Sequence, residues 1–243
     1  MQTSTFDLAG NVEAAGPPLL QTRIGKQSSL MPEDNSFSQT PPRAGNVVLR
    51  DGSTVRVRTM RPDDEHALVV LFQSLSDESR WFRFFSPAKG SALAAEARRE
   101  ANLDHTFGLI ALSGAEERAV GHAFYAGLDE HRAEVAFTIA NDFQGRGLGT
   151  ILLCQLAEVA VMNGIQVFEA EVVASNHAML HVFRESGFPI EVDAAVGQLH
   201  LTFPTSFTPA AIERFELRET NAAVNALNQE RSVDSLVNWR ISA

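Results

Sequence analysis

Gln144-Gly145-Arg146-Gly147-Leu148-Gly149 stands between a strand-like run ending near Ile139 and a helix-like run beginning at Leu148. Gly145, Gly147 and Gly149 carry no side chain to block an anion. Backbone N–H groups at the start of a helix can therefore point at phosphate oxygens, where the helix dipole also favours negative charge. Arg146 offers a further charge-assisted contact. Two phosphate loops are excluded by spacing. A G-x-G-x-x-G fingerprint begun at Gly147 needs glycine where Leu152 stands, and a P-loop ends in Gly-Lys-Ser/Thr. The pattern that fits is Q/R-x-x-G-x-G/A. Alone, it predicts an anion at a helix start or a structural cap, and its flanks must choose.

Before the loop, Thr106–Leu112, Ala119–Gly127 and Arg132–Ala140 read as strands joined by Ser113-Gly114 and by Gly127–His131, an antiparallel meander. Upstream, Asp51-Gly52 marks a turn and Thr54–Met60 alternates as a strand. Pro62 with Asp63-Asp64 opens a helix to about Leu75. Trp81–Phe85 continues as a short helix covering the site, and Ser91–Asn102 forms another. After the loop, Leu148, Ile151, Leu152, Leu156, Val159 and Ala160 recur on one helical face, with Asn163-Gly164 as the stop. Val167–Val173 is a buried strand. Ser175 caps a helix ending near Ser186-Gly187, and Val192 and Leu199–Phe203 supply closing strands.

This order, strand-helix-helix-strand-strand-strand-helix-strand-helix-strand over about 46–203, resembles the GNAT superfamily of acyl-CoA-dependent N-acyltransferases, as does the loop pattern. The resemblance implies an α/β (α+β) fold: a mixed, mostly antiparallel central sheet with a splayed parallel strand pair, flanked by helices. Asp51-Gly52, Arg58, Arg61-Pro62, Asp64, Leu75-Ser76 and Arg83-Phe84-Phe85 look like the bacterial protein lysine acetyltransferase branch. Regulatory domains often fused to that branch have no room here, so their regulation does not carry over. Residues 1–45, rich in Gly, Pro, Ser, Gln and Asn, read as a disordered leader. Residues 204–243 read as a partly helical extension starting at Thr208-Pro209 and running to about Arg231, whether packed, dimer-forming or loosely held.

The resemblance implies acetyl-CoA as acyl donor, with its pyrophosphate on Gln144, Gly145, Arg146, Gly147, Leu148, Gly149 and Thr150. Its pantetheine arm pairs with backbone groups of Phe137, Thr138 and Ile139, where one N–H can face the thioester carbonyl. Asn176 matches a family asparagine that contacts the cofactor, and reads equally as a helix cap. Acyl transfer also needs a base, because a lysine ammonium with a pKa of about 10.4 must lose a proton before attack. Glu134, in Ala133-Glu134-Val135-Ala136-Phe137, resembles the glutamate on the equivalent strand of lysine acetyltransferases. Burial in a partly desolvated cleft raises a carboxylate's pKa toward that task. Periodicity alone reads Glu134 as a solvated strand charge. Many relatives carry a tyrosine as general acid where Phe183 stands, and Tyr125, the only tyrosine, lies on another strand. No general acid is assigned, since a thiolate with a pKa of about 8.5 leaves tolerably without one.

Composition narrows the remaining choices. The 243 residues, 44% hydrophobic and 21% charged, suffice for one substantial core. A net charge of −10 argues against a nucleic-acid partner and suits a cationic substrate. Cys154, the only cysteine, reads as core filler, so neither a disulfide framework nor a thiolate metal cluster is expected. His177 and His181 share a helical face but lack the Glu of H-E-x-x-H, and no metal is assigned. The absence of a long apolar run or secretory pattern makes the cytoplasm the expected location. Lys26 and Lys89 are the only lysines, a bias that genome composition explains as well as function. The expected activity is N-acetylation of protein lysines in a ternary complex. The alternatives are a small-molecule amine acceptor and a non-catalytic acyl-CoA-binding module.

Overall fold

Strand β4 (Arg118–Gly127) is buried along nearly its whole length on both faces. A strand of that kind needs helices on each side of its sheet. The computed structural model describes residues 45–102, 106–218, 220, 224 and 225. The expected leader, apart from Gly45, lies outside them, as do residues 219, 221–223 and 226–243 of the C-terminal extension.

The sheet has eight strands: β1 (Gly45–Val48), β2 (Thr54–Thr59), β3 (Thr106–Ser113), β4, β5 (Arg132–Ile139), β6 (Val167–Val173), β7 (Glu191–Ala195) and β8 (Gln198–Pro204). Their spatial order is β1-β2-β3-β4-β5-β6-β8-β7. Every neighbouring pair is antiparallel except β5–β6. The mixed sheet with one parallel pair is the architecture expected from the sequence. Among the described residues β1 begins at Gly45, which pairs with Val57. The hairpin turns at Asp51-Gly52, where Gly52 has φ +84° and Asp51 Oδ1 accepts from Ser53 N at 3.1 Å and Ser53 Oγ at 2.6 Å.

One face carries α1 (Glu65–Ser74), α2 (Asp77–Phe84) and α3 (Ser91–Ala101). Three helices separate β2 from β3, at the three helical stretches read from the sequence, and the break between the first two falls at Ser76. It adopts extended backbone and its Oγ caps α2 by accepting from Ser79 N at 3.1 Å. The entry to α1 is pinned by a two-pronged ion pair of Arg58 to Asp64 at 2.7 and 2.6 Å, and Arg61 N donates to Asp64 Oδ2 at 2.7 Å. Leu68, Leu71 and Phe72 then seat α1 on the sheet.

The other face carries α4 (Leu148–Met162), α5 (His177–Ser186) and α6, residues 209–218. The single apolar face expected for α4 is too narrow. Leu153, Cys154, Gln155 and Ala157 are buried as well, because α5 packs along the helix and Arg218 of α6 reaches Cys154. Burying a leucine such as Leu152 contributes about 1.5–3 kcal/mol. Asn163 ends α4 and donates its Nδ2 to Tyr125 Oη at 2.7 Å. Cys154 is core, as expected. Of the two cap candidates read from the sequence, Asn176 and not Ser175 caps α5: its Oδ1 accepts from Met179 N at 3.0 Å.

Candidate active site

The parallel ladder between β5 and β6 has three rungs, Arg132–Val167, Ala133–Phe168 and Glu134–Glu169. Beyond Glu134 the strands part: β5 stays with β4 as far as Ile139–Gly121, while β6 stays with β8 as far as Val173–Gln198. Ala140 N–H donates to Val120 O at 2.9 Å. Antiparallel alternation then sends the Thr138 backbone groups to β4 and those of Phe137 and Ile139 into the gap. Phe137 and Ile139 thus offer backbone groups to the gap as expected, whereas Thr138 offers its side chain. Gln144 Nε2 donates to Ile139 O at 3.1 Å, which joins the loop to the strand.

The gap opens into a cleft of about 450 Å³, within the range of small-molecule sites. Of the eleven residues expected to hold the donor, ten line it: Phe137, Thr138, Ile139, Gln144, Gly145, Gly147, Leu148, Gly149, Thr150 and Asn176. The glycines have separate tasks. Gly145 and Gly147 adopt φ +74° and +87°, which side-chain-bearing residues rarely occupy. A Cβ on Gly149 would lie 3.0 Å from Val182 Cγ2, so that glycine lets α5 approach α4 rather than clearing room for an anion. The first backbone hydrogen bond of the helix runs from Ile151 N to Gly147 O at 3.2 Å. The N–H groups of Leu148, Gly149 and Thr150 precede it and are donors for a bound anion.

Arg146 is the exception. Its guanidinium pairs with Asp51 Oδ2 at 3.0 Å and lies 4.8 Å from the Phe143 ring centroid, outside the cleft lining. The motif arginine fastens the loop to the β1–β2 turn, an arrangement completed by Arg50 N donating to Arg146 O at 2.9 Å. Asn176 lines the cleft and caps α5 at once, so both of its readings are compatible with its position.

Glu134 is 2% exposed and sits at the last rung before the strands part, between Ala126 and Glu169. It is one alternation along β5 from Ala136, which lines the cleft, and its charge acts on Arg99. Phe183, at the position of the relatives' tyrosine, is buried against Phe137 and Phe203. Tyr125 is held in the core by Asn163, and burial pushes its phenol well above the ordinary range. Neither supplies an acid to the cleft.

Sequence reasoning missed a buried charge network. Arg83 of α2 donates Nε to Thr138 Oγ1 at 3.0 Å and forms an ion pair with Glu100 of α3. The other Glu100 oxygen lies 3.2 Å from His122 Nδ1 on β4. Burial opposes ionisation of Glu100, yet Arg83 and His122 hold its carboxyl below the usual range. Nearer the loop, Asn141 accepts from Ser76 N at 2.9 Å and donates to Ser79 Oγ at 3.0 Å. Gln144 Nε2 lies 3.3 Å from the same hydroxyl, so α2 is tied down as a roof over the cleft. Only the aromatic run through Arg83 hinted at that roof.

Comparison with known proteins agrees with this geometry. Residues 72–188 match the acetyltransferase (GNAT) family. Acetyltransferase PA5475 of Pseudomonas aeruginosa is 32% identical over 144 residues, covering 58% of this chain and 77% of that protein. Acetyltransferase Pat of Mycolicibacterium smegmatis is 30% identical over 143 residues, 58% of this chain, which spans only 43% of that protein. The crystal structure of the GNAT domain of S. lividans PAT superposes with a TM-score of 0.58 at 35% identity, covering 66% of this chain and 96% of that one. The chain belongs to the GNAT acetyltransferase family.

Proposed function

We propose that this protein is an acetyl-CoA-dependent N-acetyltransferase acting on protein lysine side chains, with Glu134 as general base. The observation that carries this reading is the end of the parallel ladder at Glu134–Glu169, with the α4 amides beyond it. The gap exposes backbone groups of Phe137 and Ile139 to a pantetheine-like arm, and the donors of Leu148, Gly149 and Thr150 suit its pyrophosphate. Glu169 and Glu171 share the sheet face of Glu134, and Glu171 lines the cleft. Glu169 pairs with Arg132 at 3.0 Å and Glu171 lies 2.9 Å from His200 Nδ1, so the carboxylate that reaches the cleft is that of Glu171. Transfer of an acetyl group is further supported by similarity to the protein named Acetyltransferase Pat.

Bound in the cleft, the thioester supplies the acyl group. Glu134, directly or through water, takes the ammonium proton. The amine nitrogen then bonds to the acyl carbon while an N–H in the gap stabilises the oxyanion. The C–S bond breaks, the adduct nitrogen gives up its remaining extra proton to solvent to leave the neutral amide, and the departing thiolate takes a proton from solvent. Replacing Glu134 by Gln keeps the shape and removes the base. Turnover should fall by 10²-fold or more, the usual contribution of a general base, with acetyl-CoA affinity unchanged. Turnover equal to wild type would remove Glu134 from the mechanism. Isotopically labelled acetyl-CoA incubated with a cell lysate, followed by site mapping, reads the acceptor: label on protein lysines supports the proposal, and label on small amines alone overturns it. Binding without any labelled product would favour the non-catalytic module, a reading that the buried Phe183 encourages.

A further inference from the structure

Arg50 of the β1–β2 turn lines the cleft and also a second hollow, formed with Glu185, Arg214, Leu217, Arg218, Val224 and Asn225. The two hollows share Arg50, beside Gly147 of the cleft. A Cβ placed there would lie 3.9 Å from Arg50 Cβ and 3.9 Å from Arg218 Cδ, so the two arginines flank the loop. Arg214 is accounted for, with Nη1 donating to Arg184 O at 2.9 Å and lying 3.8 Å from the Glu185 carboxylate. Arg218 differs. Its Nη2 donates to Glu185 O at 3.0 Å, its Nη1 is shut off from solvent, and the guanidinium reaches inward to Cys154 of α4. Burial foremost, with the like charge of Arg50 acting in the same direction, lowers its pKa. Two like-charged guanidinium groups that act on each other beside an anion loop are the expected surroundings of an anion.

The seat of α6 fixes this arrangement. Thr208 Oγ1 caps it by accepting from Ala211 N at 3.2 Å, and Asn225 Nδ2 donates to Arg50 O at 2.8 Å. The C-terminal extension therefore closes over the turn that carries Arg50.

We propose that Arg50 and Arg218 form a phosphate-binding pair for the 3′-phosphate of the coenzyme A ribose, so that the C-terminal extension completes the donor site. This rests on the reading of the cleft as an acyl-CoA site. In that reading the pyrophosphate occupies the α4 amides, and the 3′-phosphoadenosine is the only part of the donor with a further phosphate to place. The pair flanks Gly147, next to the α4 amides that would hold the pyrophosphate.

The test is calorimetric titration of the full chain with coenzyme A and with 3′-dephospho-coenzyme A. Wild type should bind coenzyme A about tenfold or more tighter than the dephospho form, the ratio one charge-assisted contact supports. Arg218→Gln should shrink that ratio several-fold by weakening coenzyme A alone. Arg50→Gln, an exposed change that leaves the fold intact, should do the same. Equal affinities in wild type, or variants that weaken both ligands equally, would overturn the proposal while leaving the cleft an acyl-CoA site. Failure of wild type to bind either ligand would instead remove the acyl-CoA reading and this proposal with it.

Discussion

Glu100 shows how much one side chain holds. It is fully buried, and its carboxylate is the counter-charge for Arg83, whose side chain is only 8% exposed and which reaches Thr138 inside the cleft. Arg83 also lies 5.1 Å from the Phe84 ring and 5.7 Å from that of Phe124. Glu100→Gln would leave a buried guanidinium without its charge partner, a change that costs about 3–5 kcal/mol. Urea unfolding of the variant measures this, and a loss below about 1 kcal/mol would show that water or another acid replaces Glu100. The network was illegible in the sequence because its members come from α2, α3 and β4, with no spacing rule to relate them. The position of Glu134 at the end of the parallel ladder was legible for the opposite reason: a short segment carries both the glutamate and its distance to the glycine loop. The loop misled at Arg146, where motif chemistry pointed at an anion and the nearer Asp51 carboxylate claimed the charge.

Among the elements, strand and helix periods declared themselves wherever burial is one-sided or complete, as in β6 and the start of α4. Junctions were harder. The break at Ser76 and the cap at Asn176 depend on which hydroxyl or amide reaches an orphaned N–H, and neighbouring candidates differ by a single residue. The α6 packing was also hidden, since an Ala/Glu/Arg-rich run is compatible with solvent on every side. What seats it is Gly187, the α5 cap, with φ +81°. A Cβ there would lie 2.8 Å from Ala211 Cα and 2.9 Å from Ala210 O, both backbone atoms that cannot swing aside. Gly187→Ala therefore adds a clash to a conformational cost of about 1–3 kcal/mol. The expected result is a lower unfolding midpoint, with amide protection lost first across residues 209–218. Protection there equal to wild type would mean that α6 is not anchored by this contact. If the phosphate pair includes Arg218, the same variant should also lose discrimination against the dephospho donor.

At the scale of the whole molecule, the two helical layers are fastened to the sheet by different physics. The α4–α5 layer rests mainly on apolar side chains such as Leu152, Leu156 and Phe183. The α1–α3 layer has an apolar seat too, but two buried carboxylates clamp it: Asp64 at the entry to α1 and Glu100 inside α3. Burial raises both carboxyl pKa values, yet Arg58 with the Arg61 amide outweighs it for Asp64, and Arg83 with His122 outweighs it for Glu100, so both end below the ordinary range. Carboxylates depressed in the folded state stabilise it fully above their unfolded values, about 3.9 for Asp and 4.3 for Glu. That stability is lost as pH falls below those values toward the folded ones. Acid should therefore loosen the layer that roofs the cleft before it loosens the layer that carries the glycine loop. Amide exchange measured from pH 6 down to pH 3 should show α1–α3 losing protection from about pH 4.3 downward, while α4 stays protected. Loss beginning well above pH 5, or simultaneous loss in both layers, would assign the acid response to other groups. Asp64→Asn supplies the control: removing that carboxylate lowers stability at neutral pH and flattens the acid limb by the share that Asp64 contributes.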